Sequence, residues 1–248
     1  MRLDRVIAVR NSKIVYRDGD ECIKVFYEAY SVTDIFSEAL YQARAAEMGL
    51  NVPKILGVTT IDNRWAIVME YIKGKTLAQL MDENPQKRDE YIESLIDLQL
   101  EIHSKECLFL NRQKEKIRFN LERADIDEAA RKGLRSLLDT MPEHTSVCHG
   151  DLIPANIIVR DDGTLFIIDW SHVTVGNASA DAAKTYLRFI LDGSASDAEK
   201  YISLFCKKTE TDRQYIEKWV PVIAAAQSAK GNEKERKFFL SFINTQNE

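Results

Sequence analysis

The stretch Ser146–Trp170, SVCHGDLIPANIIVRDDGTLFIIDW, carries the most decisive pattern in this chain of 248 residues. It places His149, Gly150 and Asp151 together, Asn156 five residues after that Asp, and Asp169 at the end of an apolar run. The runs NIIV and TLFII flank the turn residues Asp161, Asp162 and Gly163, so the segment reads as two short strands around a tight turn. A lone Asp or Asn in such a place makes turn hydrogen bonds and nothing more. Three of them in fixed order, each at the edge of a strand, offer hard oxygen groups that could converge on one point.

Composition sets the frame for that segment. Apolar residues make up 45% of the chain, enough for a buried core, and the net charge of −5 offers no basic footprint for nucleic acid. No run of about 18 apolar residues exists to cross a membrane. The start, MRLDRVIAVRNSK, interrupts its apolar residues with charges too often for a secretory signal, so a cytoplasmic location is expected. Cys22, Cys107, Cys148 and Cys206 lie far apart without C-x-x-C spacing, and the four histidines form no i, i+4 pair. Reduced thiols and no tightly held transition metal are the expectation.

The chain changes character part-way. RVIAV, KIVY, ECIKVF, KILGVTT and RWAIVMEY are strand-like, and the Asp18-Gly19 turn makes Lys13 to Phe26 a hairpin. Between them Thr33 to Met48 reads as a helix with Ile35, Phe36, Ala39, Leu40, Ala43 and Ala46 at helical spacing, closed by Gly49. After Gly74 helices dominate. Thr76-x-x-Gln79, Ser196-x-x-Glu199 and Thr211-x-x-Gln214 have capping-box spacing. Lys87 to His103 carries Ile92, Leu95, Ile96 and Ile102 on one face, and Leu121 to Leu138 reads as a charged amphipathic helix. The expected fold is α+β and bilobal. Residues 1–72 form an N-terminal antiparallel sheet with one helix, and residues 73–248 form a larger, mainly helical lobe.

His149-x-Asp151 followed by four residues and Asn156 has the spacing of a kinase catalytic loop, and Asp169 stands where a second, metal-binding Asp would lie. Transfer of a γ-phosphoryl group needs a carboxylate to accept or orient the attacking hydroxyl, a task for Asp151. It also needs hard ligands for Mg²⁺ bridging the phosphates, which the Asn156 amide oxygen and the Asp169 carboxylate supply. His149 is read as a brace of the loop. Such a fold also requires a strand lysine for the phosphates and a helical glutamate to hold it. Lys24 in ECIKVF fits, although taken alone it is equally compatible with the exposed face of an edge strand. Glu38, mid-helix, is preferred to Glu47, whose charge in the last turn opposes the helix dipole.

With HGDLIPANIIV, FIIDW and the later GNASADAA, the chain resembles the aminoglycoside phosphotransferase and choline kinase family of the protein-kinase-like fold. GLNVPKILG and AIVMEYIKGKTL are similar to that family's first-lobe strands and interlobe hinge. The resemblance implies that the backbone of Met69, Glu70, Tyr71 and Ile72 meets adenine, that Lys24 and Glu38 anchor the phosphates of ATP, and that Asp181 braces the catalytic loop. As an exposed helix N-terminal carboxylate favoured by the dipole, Asp181 has an equally plain reading. The resemblance also implies an ATP- and Mg²⁺-dependent kinase acting on a hydroxyl of a small molecule such as an amino alcohol, sugar derivative or aminoglycoside. A nucleotide-binding protein without turnover is the alternative.

Two departures qualify that implication. Where protein kinases carry a Gly-rich loop this chain has only RNSK, so phosphate contacts would come from Ser12 and nearby backbone N–H groups. Gly150 replaces the Arg that pairs with a phosphorylated activation loop, and Ser171 to Ala180 is short, so constitutive activity on a small molecule is expected. From Ala178 to Glu248 there are ten Asp and Glu against eleven Lys and Arg, a balance of +1. That balance disfavours a site dedicated to a polycation. Tyr201, Phe205, Tyr215 and Trp219 could wall a cationic acceptor or belong to the core.

Overall fold

The computed structural model of the chain describes residues 3, 5–10 and 12–243. In order, the first elements are β1 (Arg5–Val9), β2 (Lys13–Asp18), β3 (Glu21–Phe26), α1 (Val32–Glu47), β4 (Ile55–Ile61), β5 (Arg64–Glu70), β6 (Lys75–Thr76) and α2 (Leu77–Glu83). There follow α3 (Arg88–His103), α4 (Gln113–Arg123), α5 (Glu128–Thr140), β7 (Ser146–Cys148), β8 (Ile157–Val159), β9 (Leu165–Ile167) and β10 (Thr174–Gly176). The chain closes with α6 (Ala178–Leu191), α7 (Ala195–Thr209), α8 (Arg213–Ser228) and α9 (Glu233–Ser241). By packing, Met1–Pro85 joins Pro154–His172 in one compact unit, and Gln86–Ile153 joins Val173–Glu248 in a second.

The first unit is built on an antiparallel sheet of order β1-β2-β3-β5-β4. Gly19, at φ +57°, turns the chain between β2 and β3, and the register that results runs from Asp18 opposite Glu21 to Lys13 opposite Phe26. Asp62 and Asn63, both at positive φ, make the matching tight turn between β4 and β5. Alternation then sorts the side chains of β3 onto two faces. Ile23 and Val25 pack with Ala66 and Val68 on one face. On the other, Phe26 packs with Ile67 and Met69 against Ile35 and Ala39 of α1. Lys24 shares that second face, so its side chain is directed to the helix side of the sheet.

The helix α1 buries a different stripe from the expected one. Ile35, Glu38, Ala39, Gln42 and Ala45 are buried, whereas Phe36 and Leu40 are each 47% exposed, Phe36 resting edge-on against Trp65. The apolar spacing suggested Phe36 and Leu40 because their buried neighbours Glu38 and Gln42 are polar. Gln42 is satisfied by donating to the Pro53 carbonyl at 2.7 Å. A second, small sheet of order β6-β8-β9 completes the unit. There Gly74 passes so close to Val159 that an added Cβ would lie 2.3 Å from its carbonyl oxygen.

The second unit is helical apart from the antiparallel pair β7 and β10, which sets Cys148 opposite Thr174. Ile92, Leu95, Ile96 and Ile102 are buried along α3, as the periodicity required. The expected single helix from Leu121 to Leu138 is two. It breaks after Arg123, and Asp127 opens α5 by accepting from the Ala130 amide, a strong local N-cap that ends the earlier periodicity. Two of the expected capping boxes also differ. The start of α7 has no side-chain cap, and α8 is capped by Asp212 through the Gln214 amide, one residue later than the Thr211 pattern. The Thr76–Gln79 box is present in both directions. Tyr201, Phe205 and Trp219 are wholly buried and serve as core.

Candidate active site

In the first unit, β3 aims Lys24 at the buried face of α1, where its Nζ lies 2.6 Å from Glu38 Oε1. Glu47 is exposed. Burial of the lysine favours its neutral form, but the Glu38 carboxylate and then Asp169 outweigh that and raise its pKa. Asp169 Oδ1 stands 3.9 Å from Lys24 Nζ. A third contributor was missed in the sequence. Lys13, the first residue of β2, is 7% exposed and donates to both oxygens of Glu38 at 3.1 and 3.2 Å and to Asp169 Oδ1 at 3.1 Å. Its ammonium also lies 5.6 Å from the centre of the Phe26 ring.

The strands β8 and β9 fix Asp169 and Asn156 relative to each other. Ile157 faces Ile167, and the Ile168 amide donates to the Asn156 carbonyl at 2.9 Å, so the two candidate ligands flank the same end of one short ladder. Asp169 adopts a left-handed backbone, φ +68°, which is unusual for a residue with a side chain but better tolerated by Asp than by most. Burial would raise its pKa, yet the two ammonium groups of Lys24 and Lys13 prevail and hold the carboxyl well below the usual range. It is therefore ionised at neutral pH. A hard carboxylate kept ionised beside an Asn is a donor set that fits Mg²⁺.

Of the remaining first-unit candidates, Ser12 is tied through its carbonyl to the Tyr27 amide at 3.0 Å. Met69 and Ile72 are buried and Glu70 is exposed. The Glu70 amide donates to the Lys54 carbonyl and the Tyr71 amide to the Asp20 carbonyl, at 2.9 and 2.8 Å.

In the second unit the loop after β7 carries His149, Gly150 and Asp151. Gly150 has φ +78°, a conformation in which a side chain would be strained. The helix α6 grips this loop at three backbone groups. The Gly150 amide donates to Asp181 Oδ1 at 2.8 Å, Lys184 donates to the Gly150 carbonyl, and Thr185 donates to the Leu152 carbonyl at 3.1 Å. Asp181 is buried rather than exposed at its helix start, with His103 Nε2 at 3.0 Å and Gln99 Nε2 at 3.2 Å. Burial opposes its charge, but the His103 contact and the nearby His149 lower its pKa overall. His149 is fully buried, and its Nδ1 accepts from the Asp151 amide at 3.2 Å. The Asp151 carboxylate is partly open, and its Oδ1 lies 4.0 Å from both Lys184 Nζ and Arg188 Nε. Burial lowers the pKa of Lys184. Lys184, Thr185 and Arg188 went unread in the sequence, since their helix carries no polar pattern that marks them.

The sequence matches the phosphotransferase enzyme family across residues 10–217. The chain belongs to that family. No curated protein sequence matches it. Among solved structures, this phosphotransferase is similar to the choline kinase LicA from Streptococcus pneumoniae, with 17% identity, a TM-score of 0.63, and coverage of 98% of this chain and 95% of that one. It is also similar to a choline/ethanolamine kinase family protein from Mesorhizobium loti, with 15% identity, a TM-score of 0.66, and coverage of 99% and 86%. A third likeness is to a thermostable mutant of the aminoglycoside phosphotransferase APH(4)-Ia, solved as a ternary complex with AMP-PNP and hygromycin B. There identity is 12%, the TM-score 0.70, and coverage 97% and 91%. At such identities the likeness is one of fold, and the fold is the α+β protein-kinase-like one. The family read from HGDLIPANIIV and FIIDW is thus the family found. Among the described residues no helix is long and apolar enough to cross a membrane.

Proposed function

We propose that this phosphotransferase moves the γ-phosphoryl group of ATP to a hydroxyl of a small molecule. The observation that carries the proposal is the Lys24–Glu38 ion pair at 2.6 Å, set within 3.9 Å of an ionised Asp169. An ammonium held this way is a ready phosphate anchor, and the carboxylate beside it is a metal ligand. In this reading residues 1–72 bind nucleotide and residues 73–248 carry the catalytic and acceptor groups. Asn156 and Asp169 would hold Mg²⁺, which when bound would neutralise charge developing on the phosphates. Ser12 would contribute to the phosphate end. Within Met69–Ile72 the amides of Glu70 and Tyr71 are already engaged, so adenine is assigned to the Ile72 N–H and the carbonyls of the segment.

Asp151 would accept the proton of the attacking hydroxyl. Its backbone is fixed by the bonds from α6 at Gly150 and Leu152, so the carboxylate is presented in a set direction without costing order during reaction. Lys184 Nζ and Arg188 Nε each lie 4.0 Å from its Oδ1. They also place two positive charges beside the acceptor hydroxyl. Together with the +1 balance of the chain after Ala178, this supports a sugar derivative or amino alcohol ahead of a polycationic aminoglycoside.

A coupled assay of ADP release tests the proposal on matched panels of amino alcohols, sugars and aminoglycosides. The expected result is Mg²⁺-dependent turnover with at least one sugar or amino alcohol. Aminoglycosides reaching a kcat/KM of about 10⁴ M⁻¹s⁻¹, with the other panels at background, would reverse the ranking. Nucleotide binding without turnover on any acceptor would leave a non-catalytic nucleotide-binding protein in its place.

A further inference from the structure

Lys13 is a lysine that neither the anchoring pair nor the metal ligands require. It is the last residue of the RNSK sequence and the first of β2, where this chain lacks the glycine-rich sequence that would supply backbone to phosphates. Its partner across the hairpin is Phe26, and that of Lys24 is Val15, so the two lysines are diagonal neighbours on one face. Both are buried and both bond Glu38, but their second contacts differ. Lys24 is held at 2.6 Å by Glu38 and only 3.9 Å from Asp169, while Lys13 sits at 3.1 Å from each. The Asp169 side chain is 32% exposed, so it is the open member of the cluster.

The four charges sum to zero: Lys13 and Lys24 against Glu38 and Asp169. An ammonium bonded to Asp169 Oδ1 competes directly with any cation that binds the same oxygen. The Lys13 ammonium stands 3.1 Å from that oxygen, so a metal cation binding there would meet its repulsion. Lysine carries its charge on a flexible four-carbon stem with three donors, so it can exchange one acceptor for another with little backbone movement. Phosphate oxygens entering beside Asp169 would provide that new acceptor.

We infer that Lys13 is a second phosphate-anchoring lysine, which rests on Asp169 when no nucleotide is bound and gives up that oxygen to the metal as it turns to the phosphates. The inference rests on the proposed nucleotide site. It assigns Lys13 to the task that glycine-rich backbone performs elsewhere in this fold, and it makes Lys13 at once a competitor of free metal and a partner of nucleotide.

Two binding measurements without turnover test it. Nucleotide affinity is measured by calorimetry with ATP in EDTA and again with Mg²⁺, and free metal affinity by titration with Mn²⁺ alone, followed by electron paramagnetic resonance. Lys13→Met is expected to weaken ATP binding about ten- to a hundredfold in both conditions, as befits the loss of a charged hydrogen bond. The same change is expected to tighten Mn²⁺ binding in the absence of nucleotide, because Asp169 loses its competitor. A purely structural lysine would not move the two affinities in opposite directions. Lys13→Arg, which keeps the charge, should restore ATP binding to within a few-fold of the parent chain, and Lys13→Gln serves where Lys13→Met folds poorly. If the parent chain binds ATP in a Lys24-dependent manner while Lys13→Met and Lys13→Gln leave both affinities unchanged, the inference is wrong and the nucleotide site stands. If the parent chain binds no ATP even with Mg²⁺, both readings fall.

Discussion

Replacing Glu38 with glutamine should be among the most damaging single changes in the first unit, and the charge count says how to repair it. Glu38 is 1% exposed and accepts three hydrogen bonds, two from Lys13 and one from Lys24. The amide that replaces it keeps one acceptor but turns its NH₂ toward the other ammonium. The neutral cluster becomes +1 with two buried lysines and only Asp169 left to them. Removing one partner from a buried ionic group costs about 3–5 kcal/mol, since the stranded charge is the larger part of the loss. For a chain of this size that is a fall of roughly 6–20 °C in Tm. Adding Lys13→Met to Glu38→Gln returns the cluster to neutrality, Lys24 against Asp169, and should recover stability by about 1–3 kcal/mol. Thermal melts followed by circular dichroism on the single and double variants decide the matter. A double variant less stable than Glu38→Gln alone would refute the charge argument and make Lys13 important for its packing.

Asp151→Asn should lower turnover about 10²-fold or more on whichever acceptor the panel selects, with nucleotide affinity kept, and equal turnover would remove Asp151 from the proton-accepting role. Acid should destabilise the fold. Asp169 and Asp181 have folded pKa values below the ordinary one of about 3.9, so their contribution is present above that value and lost as pH falls below it. Urea titrations between about pH 5 and pH 2 should therefore show a steep loss that is shallower in Asp181→Asn, and identical slopes would count against the assignment. Gly74→Ala should cost about 1–3 kcal/mol, because its Cβ would meet the Val159 carbonyl at 2.3 Å and push β6 from β8. An unchanged Tm would mean that this pairing gives way freely.

Much of the fold was legible because its signals are local. The Asp18-Gly19 turn and the alternation around it define the β2–β3 hairpin down to the pairing of Lys13 with Phe26. The order of Asp151, Asn156 and Asp169 needed only spacing and strand edges to be read. Failures came where a local rule met a competitor. The charged amphipathic pattern from Leu121 to Leu138 hid the break between α4 and α5, where Asp127 acts as an N-cap. The Thr211 pattern lost to Asp212, a better N-cap one residue on.

The misread stripe of α1 and the missed Lys13 share one reason, and that reason bears on function. A pattern that assigns apolar residues to the buried face must place Phe36 and Leu40 inward and Lys13 outward. Among the described residues of the first unit, the buried polar side chains are Lys13, Lys24, Glu38 and Gln42, and Lys13, Lys24 and Glu38 bond within one cluster. Hairpin register alone could have exposed this. Positions that pair sum to 39, so Lys13 and Lys24, which sum to 37, fall two residues apart on one face. Well-packed apolar residues of similar volume would give equal or greater stability than a buried ionic cluster. A lobe shaped for stability alone would have no use for two lysines facing one glutamate. Their presence at the end of the strand pair, beside an Asp strained into a left-handed backbone, places the conflict between local pattern and fold at the residues proposed to hold phosphate.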